Sequence, residues 1–216
     1  LGGLGCPVAM YLAAAGDGQL VLVDFDSVEL SNLQRQVAHT TDRLGQTKVS
    51  SAAQTISELN PDTRVSCIDS KLDQAALEYE VQQADLVLDC TDNFEIRFDI
   101  NGHCVKHSKP LVSGAAIRLE GQVMVYDPRT SDSPCYRCLY QEADETALSC
   151  SENGVAAPVV GIIGTIQAME AIKLIAEFGV SLAGYLLVFD AKTMDFRKLR
   201  LSRNPTCATC GALGSE

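Results

Sequence analysis

The chain has 216 residues, 46% of them hydrophobic, and a formal net charge of −11. That apolar content supplies a sizeable core and excludes general disorder. The acidity excludes a general nucleic-acid binder, whose phosphate contacts need clustered Lys and Arg.

Strand-like and helix-like segments alternate, the pattern of an α/β fold with a Rossmann-like, mostly parallel sheet and helices on both faces. Gly2-Gly3-Leu4-Gly5 opens a helix over Cys6–Ala15. A complete fold of this kind has a strand ahead of such a loop, so an N-terminal strand is expected upstream of Leu1. Gln19–Asp24 reads as a buried strand that ends on a carboxylate. Lys48–Leu59 is amphipathic, with Val49, Ala52, Ile56 and Leu59 on one face, and Asn60-Pro61 stops it. Arg64–Ile68 is a short strand and Leu86–Asp89 another buried one. A helix over Asn93–His107 and a strand at Pro110–Val112 follow.

The pattern then changes. Gly121–Tyr126 reads as an antiparallel-type strand, followed by a polar, cysteine-bearing loop to about Ala157. Gly161–Phe178 is a long helix, and Tyr185–Asp190 with Phe196–Leu201 makes a terminal hairpin. Residues 1–216 therefore read as one domain, with an extension from about residue 119. No secretory signal opens it, since Leu1–Gly5 lacks a basic region and a long apolar one. The most apolar stretch, Val155 to Ile175, is interrupted by Gln167, Glu170 and Lys173, so no membrane span is expected.

Glycines before a helix let the backbone approach a phosphate, and the helix N-terminus favours negative charge. Gly3 and Gly5 stand in such a loop, and Asp24 stands about 20 residues on, where a Rossmann fold places the acid that holds ribose hydroxyls. This alone says adenine nucleotide and leaves a nicotinamide or flavin dehydrogenase, or a plain turn, open. The run Asp26-Ser27-Val28-Glu29-Leu30-Ser31-Asn32-Leu33-Gln34-Arg35-Gln36 argues for phosphate chemistry instead. Gripping a triphosphate and neutralising its developing charge needs cations and donors. Arg35 and Lys48 are the candidate clamp, helped by Asn32 and Gln34. The competing readings are a surface ion pair of Arg35 with Asp24, Asp26 or Glu29, and a solvated Lys48 at a helix start. Asp92 follows a strand of the same edge and can hold Mg²⁺ against phosphates, or simply cap the next helix. The three histidines, His39, His103 and His107, fall on loops or helix surfaces and receive no role.

Nine cysteines, an odd number, with no export signal point to a reducing, cytoplasmic compartment. Cys135-x-x-Cys138 and Cys207-x-x-Cys210 together make a tetrahedral, structural Zn²⁺ site, the alternative being two unrelated or redox-active dithiols. Cys6, Cys67, Cys90 and Cys104 read as ordinary buried thiols. Cys150 lies in a polar run, where an exposed thiol could accept an activated acyl group or be a tolerated loop residue.

These features resemble the adenylating enzymes of the MoeB, ThiF and HesA group, related to the adenylation domains of ubiquitin-activating enzymes. The motifs are Gly-Gly-Leu-Gly, Asp24-Phe25-Asp26, Ser31-Asn32-Leu33-Gln34-Arg35-Gln36, Lys48, Asp89-Cys90-Thr91-Asp92-Asn93 and both C-x-x-C pairs. Leu111–Arg118 and Gln167–Lys173 look most like its molybdopterin branch. The resemblance implies ATP-dependent adenylation of the C-terminal carboxylate of a small ubiquitin-like sulfur carrier ending in Gly-Gly. It also implies Mg²⁺ and a homodimer, with neither membrane nor nucleic acid as partner. Gly3, Gly5, Asp24, Ser31, Asn32, Leu33, Gln34, Arg35, Lys48, Asp92 and Asn93 would then line the ATP site, with Asp24 on the ribose, Asn32, Arg35 and Lys48 on phosphates and Asp92 on the metal. Cys150 falls where thiazole-pathway members place an acyl-accepting cysteine.

Overall fold

The computed structural model describes residues 1–16, 18–140 and 154–211. Cys150 therefore lies outside the described residues. Helix α1 (Gly5–Ala15) leads to strand β1 (Gln19–Val23), and α2 (Lys48–Leu59) leads to β2 (Arg64–Ile68). Then come α3 (Gln74–Gln83), β3 (Val87–Asp89), α4 (Phe94–Lys106), β4 (Leu111–Ile117) and β5 (Glu120–Tyr126). The short α5 (Tyr136–Leu139), the long α6 (Ala157–Ile175) and the strands β6 (Tyr185–Asp190) and β7 (Asp195–Arg200) complete the order.

The strands form a parallel pair, β1 with β2, and a five-stranded sheet in the order β3-β4-β5-β6-β7. Only β3 and β4 are parallel in the larger sheet; every later pairing is antiparallel. The change of pattern expected near residue 119 is therefore the turn from β4 into β5. Helices cover both faces of this sheet. Val112, Ala116, Val123, Val125 and Phe189 point towards α6, and pack with its Val159, Val160 and Ile163. Leu111 and Tyr126 alternate to the other face, where they meet Ile100, Cys104 and Val105 of α4 and Val81 of α3.

Several expectations need correction. The β1 strand is not buried: Leu22 faces α1 and α2, but Val21 and Val23 are 45% and 41% exposed. Period-two alternation puts one face of this two-stranded sheet on the helices and leaves the other uncovered. Cys67 is exposed as well. In β3 only Asp89 is fully buried. Leu59, expected on the buried face of α2, is exposed. Helix α3 was not anticipated, because it carries a single buried residue, Val81, and no apolar stripe; its start is marked by Asp73, whose carboxylate accepts the Ala76 amide at 2.8 Å.

Helix α6 is long and apolar enough, by length and composition, to cross a membrane, with a mean hydropathy of 1.5. Half of that stretch is buried within the fold, and its position between α1 and the sheet explains the apolarity without a bilayer. The close seam with α1 needs Gly164, where a Cβ would lie 2.5 Å from the Leu4 carbonyl oxygen and 2.6 Å from Pro7. Gly164→Ala is therefore expected to destabilise. Overpacking costs about 1–3 kcal/mol, partly offset by up to ~1 kcal/mol of helix propensity. Urea unfolding should show a lower midpoint at unchanged slope; an unchanged or higher midpoint would mean that the seam yields.

Candidate active site

The glycine loop sits at the junction of three segments. A Cβ on Gly5 would be 3.7 Å from Cys90 at the end of β3, and one on Gly2 would be 3.8 Å from the Gln36 side chain. One on Gly3 would strike Val160 of α6 at 2.7 Å. Glycine at position 3 thus serves helix packing as well as any backbone approach to a ligand. Asp24 lies beside Leu1 at the start of the loop, and the Asp26 amide donates to its Oδ1 at 2.9 Å.

His39 departs from the expectation of a surface histidine. It is buried, with Nδ1 2.9 Å from Ser51 Oγ and Nε2 3.1 Å from the Leu1 carbonyl. Burial lowers its pKa, which favours the neutral ring. It acts as a wedge between the glycine loop and α2. No signal in the sequence distinguishes such a histidine from an exposed one.

The polar run folds as a 3-10 turn over Leu30–Asn32. The Glu29 amide donates to Asn32 Oδ1 at 3.2 Å and Ser31 Oγ donates to the Glu29 carboxylate at 3.3 Å. The carboxylate of Glu29 is thus turned to the local backbone and Ser31, and not to Arg35. Arg35 donates to the Ser31 carbonyl at 3.3 Å and makes no ion pair among the described residues, so the surface-pair reading fails. Leu33 and Asn32 are half-buried, Ser31 and Gln34 exposed. Gln36 is buried, and its Oε1 has no hydrogen-bond partner among the described residues. An orphaned acceptor beside the glycine loop marks a place that a ligand hydroxyl or a water would satisfy.

Lys48 is the first residue of α2, behind the Thr47 cap. It is not a solvated helix-start lysine: it is only 5% exposed, and Nζ donates to Asp26 Oδ2 at 2.6 Å. The Lys48 amide also donates to the Asp26 carbonyl at 2.9 Å. Backbone and side chain together fix a buried ammonium at the carboxyl end of β1. Arg43, also buried, braces this loop by donating to the Ser51 carbonyl at 2.9 Å.

At the end of β3 the structure joins Asp89 and Thr91 of the Asp89–Asn93 motif to Ser113 and Arg97, two residues given no role from the sequence. The buried Asp89 carboxylate accepts from Thr91 Oγ1 and Ser113 Oγ, both at 2.7 Å, and from the Thr91 amide at 3.0 Å. Arg97 Nη1 lies 3.9 Å away, and Arg97 Nη2 donates to the Thr91 carbonyl. The sequence holds the two halves of this pair, an acid at a strand end and an arginine one turn into the next helix. This network holds the loop that carries Asp92. Asp92 itself is exposed and does not cap α4; Asn93 does, accepting the Ile96 amide at 3.0 Å. The Asp92 carboxylate makes no hydrogen bond or ion pair among the described residues, which suits a cation ligand. No described contact joins Asp92 directly to Arg35 or Lys48; the glycine loop is what lies between their segments.

The described thiols near this edge are unreactive in character. Burial, with Asp89 adding to it, pushes Cys90 up to about 12. Burial likewise raises Cys6. The four paired cysteines do come together. The Sγ separations are 4.0 Å for Cys135–Cys138, 3.7 Å for Cys135–Cys207 and 3.4 Å for Cys138–Cys210. A tetrahedral Zn–thiolate site with bonds of about 2.3 Å has edges of roughly 3.8 Å, so the set fits Zn²⁺ and not disulfides. Around it, Asn101 Nδ2 donates to Cys135 Sγ at 3.7 Å and the Asn204 amide to Cys138 Sγ at 3.4 Å. Such N–H···S contacts orient thiolate ligands.

Two cavities flank these elements, and neither is lined by Asp24, Arg35 or Lys48. A crevice of about 10 Å³ beside Arg97 and Ser113 is too small for a nucleotide. A groove of about 740 Å³ is apolar and lies between α1, α2, α6 and Phe196.

Residues 1–209 match the ThiF family. The chain belongs to that family. The molybdopterin-synthase adenylyltransferase of Escherichia coli is 49% identical over 211 residues, which cover 98% of this chain and 84% of that protein. The Haemophilus influenzae enzyme of the same name is 50% identical over 206 residues, 94% of this chain and 84% of that protein. The E. coli sulfur carrier protein ThiS adenylyltransferase is 44% identical over 216 residues, 100% of this chain and 85% of that protein. Among solved structures, E. coli MccB with ATP superposes with a TM-score of 0.84 at 26% identity. That match covers 97% of this chain, which spans 64% of the MccB chain's length. Family membership displaces the dehydrogenase alternative.

The Asp89 network generates a stability prediction. Asp89→Ala removes the carboxylate facing Arg97 and strips Thr91 and Ser113 of their acceptor. Breaking a buried charged pair on one side costs about 3–5 kcal/mol. Chemical unfolding should register a loss of that order in this ThiF-family chain. A loss below ~1 kcal/mol would show that Arg97 is held by its other contacts alone.

Proposed function

We propose that this protein adenylates the C-terminal glycine carboxylate of a small ubiquitin-like sulfur carrier ending in Gly-Gly, in molybdopterin biosynthesis, within the reducing cytoplasm. The observation that carries this reading is the buried Lys48 ammonium, held by Asp26 at the carboxyl end of β1. A triphosphate needs cations to draw off its charge, and an ammonium fixed there can supply one. The relatives named as adenylyltransferases set the substrate class.

The carrier carboxylate is already ionised. Its oxygen attacks the α-phosphorus of ATP, the α–β phosphoanhydride bond breaks, and pyrophosphate leaves with the electron pair. No general base is required. The protein supplies in-line positioning and cancels repulsion between two anions. Gly3 and Gly5 admit the phosphates, Asp24 takes the ribose, and Ser31, Asn32, Leu33 and Gln34 shape the pocket wall. Arg35 and Lys48 draw charge from the phosphates. Asp92, with Asn93 behind it, would hold Mg²⁺, which supplies further charge neutralisation when bound. Zn²⁺ on Cys135, Cys138, Cys207 and Cys210 would have no open position and serves structure alone. Residues 1–216 act as one adenylation domain, with the zinc-bound extension running from about residue 119. A second copy of the chain covers the apolar groove. The support for this is its exposed lining, with Tyr11 at 54%, Val37 at 62% and Leu59 at 49%.

The test is carrier-dependent exchange of pyrophosphate into ATP by the full-length protein. Arg35→Ala, Lys48→Ala and Asp92→Ala are each expected to lower exchange about 10²–10³-fold without unfolding the chain. Absence of exchange with every Gly-Gly-tailed carrier would sink the proposal. Cys150→Ala should leave exchange intact; if it then abolishes thiocarboxylate formation on the carrier, the chemistry is of the thiazole-pathway type. Purified protein should hold one zinc per chain through the four cysteines, and Cys210→Ser should lose it together with cooperative unfolding.

A further inference from the structure

Far from this site, α3 and α4 bring three ligand-type side chains together. Glu78, His103 and His107 each offer an atom within 4.8 Å of the other two. His107 Nε2 is 2.9 Å from Glu78 Oε1, and His103 Nδ1 is 3.9 Å from Glu78 Oε2. The histidines are four residues apart on α4, so they share one face of the helix, and Glu78 meets them from α3.

A plain electrostatic reading covers part of this. Lys106 and His107 near the C-terminus of α4 suit the helix dipole and pair with a carboxylate. That reading leaves His103 unexplained. Its Nε2 faces the Gln74 carbonyl oxygen at 2.9 Å. Gln74 cannot be turned round without loss, because its Nε2 donates to Asp99 Oδ2 at 2.7 Å. Nε2 of His103 therefore carries the proton, and Nδ1 presents a lone pair. That Nδ1 is buried, with no hydrogen-bond partner among the described residues. An imidazole anchored through one nitrogen to an amide carbonyl, with the other nitrogen bare and aimed at a carboxylate, is how metal-binding histidines are held.

We propose that Glu78, His103 and His107 form a second metal site, taking a divalent transition cation of the Zn²⁺ class with a fourth position open to solvent. Imidazole donors favour Zn²⁺, Co²⁺, Ni²⁺ or Cu²⁺ over Mg²⁺ or Ca²⁺. Bonds of about 2.0–2.1 Å place tetrahedral ligand atoms roughly 3.3 Å apart, between the two separations measured here. The Glu78 side chain is 32% exposed, which leaves an entry path. Lys106 Nζ lies 2.6 Å from Glu78 Oε1 and must swing into solvent, which its 60% exposure permits. Bound metal would staple α3 to α4.

The experiment is equilibrium dialysis of protein with its four-cysteine site already filled, against Zn²⁺ alone in a phosphate-free buffer, with metal counted per chain. The wild type is expected to take a second zinc. His103→Ala with His107→Ala should stop at one, at an unchanged far-UV spectrum. Glu78→Gln, which keeps the shape, should weaken the second zinc at least about 10-fold, and Lys106→Ala should tighten it by removing the competitor. A wild type that stops at one zinc overturns the site, as does a second zinc indifferent to the histidines. Should the double variant fail to fold, the opposite shifts of Glu78→Gln and Lys106→Ala decide, and equal affinity in both overturns it.

Discussion

Gln167, buried in the middle of α6, donates its amide to the Asp89 carbonyl at 2.8 Å and to the Val112 carbonyl at 3.3 Å. These bonds run from a helix to the end of β3 and the start of β4, its parallel neighbour, which is possible only where helix and sheet nearly touch. Gly114 makes room: a Cβ there would lie 2.2 Å from Gln167 Oε1. One turn earlier, Gly121 admits Ile163 in the same way, its would-be Cβ 2.3 Å from that side chain. The end of β3 is thereby fixed from above by α6 and from below by Ser113 and Arg97 on the Asp89 carboxylate. The loop bearing Asp92 inherits its position from this clamp.

The same helix governs the other side of the crevice. Val160 sits against Gly3, and Gly164 against Leu4 and Pro7, so the glycine loop is pressed between α6 and the end of β3. Electrostatics then complete the arrangement at little cost. In a chain of net charge −11, Arg35 escapes pairing because Glu29 is occupied by its own turn. Lys48 is paired with Asp26, but the Asp26 side chain is 54% exposed. The Lys48 side chain itself is only 7% exposed, so the pair is open to water on the carboxylate side alone, and the backbone bond to Asp26 keeps the lysine in place.

Much of this was legible in the sequence, and the limits have physical causes. The helices α1, α2, α4 and α6 were readable, as were the hairpin of β6 and β7 and the strands other than β4, which was expected over Pro110–Val112 and runs Leu111–Ile117. Helix α3 was not, because Val81 is its one fully buried residue and its ties to α4 through Gln74 and Glu78 are polar. The exposure of Val21, Val23 and Cys67 was not either, since β-branched and apolar residues look the same on a covered and an uncovered face. Individual site residues such as Lys48 and Arg35 could be named because cations amid an acidic chain stand out. Whether they were paired could not be read, because that depends on where Glu29 and Asp26 turn. Asp89 and Arg97 were invisible as a pair: strand end and helix interior are brought together only by the fold. The four paired cysteines were the opposite case, since C-x-x-C spacing encodes each half of the cluster locally and only the meeting of the halves is tertiary.

Helix α4 joins these parts. Its cap, Asn93, adjoins the loop of Asp92, and one turn on, Arg97 braces that loop through the Thr91 carbonyl. Asn101 accepts the Tyr136 amide at 2.7 Å and donates to Cys135 Sγ, which ties the helix to the four-cysteine cluster. His103 and His107 then meet Glu78 near its end, about 15–20 Å from the cap at 1.5 Å per residue. Three polar centres are thus strung along one rigid rod whose remaining face, Ile100, Cys104 and Val105, is locked into the core. A shift of that rod would move the Arg97 brace and the Asn101 contact to Cys135 together. The geometry at Asp92 is therefore tied to the integrity of the four-cysteine cluster, which holds α4 from the side opposite α6.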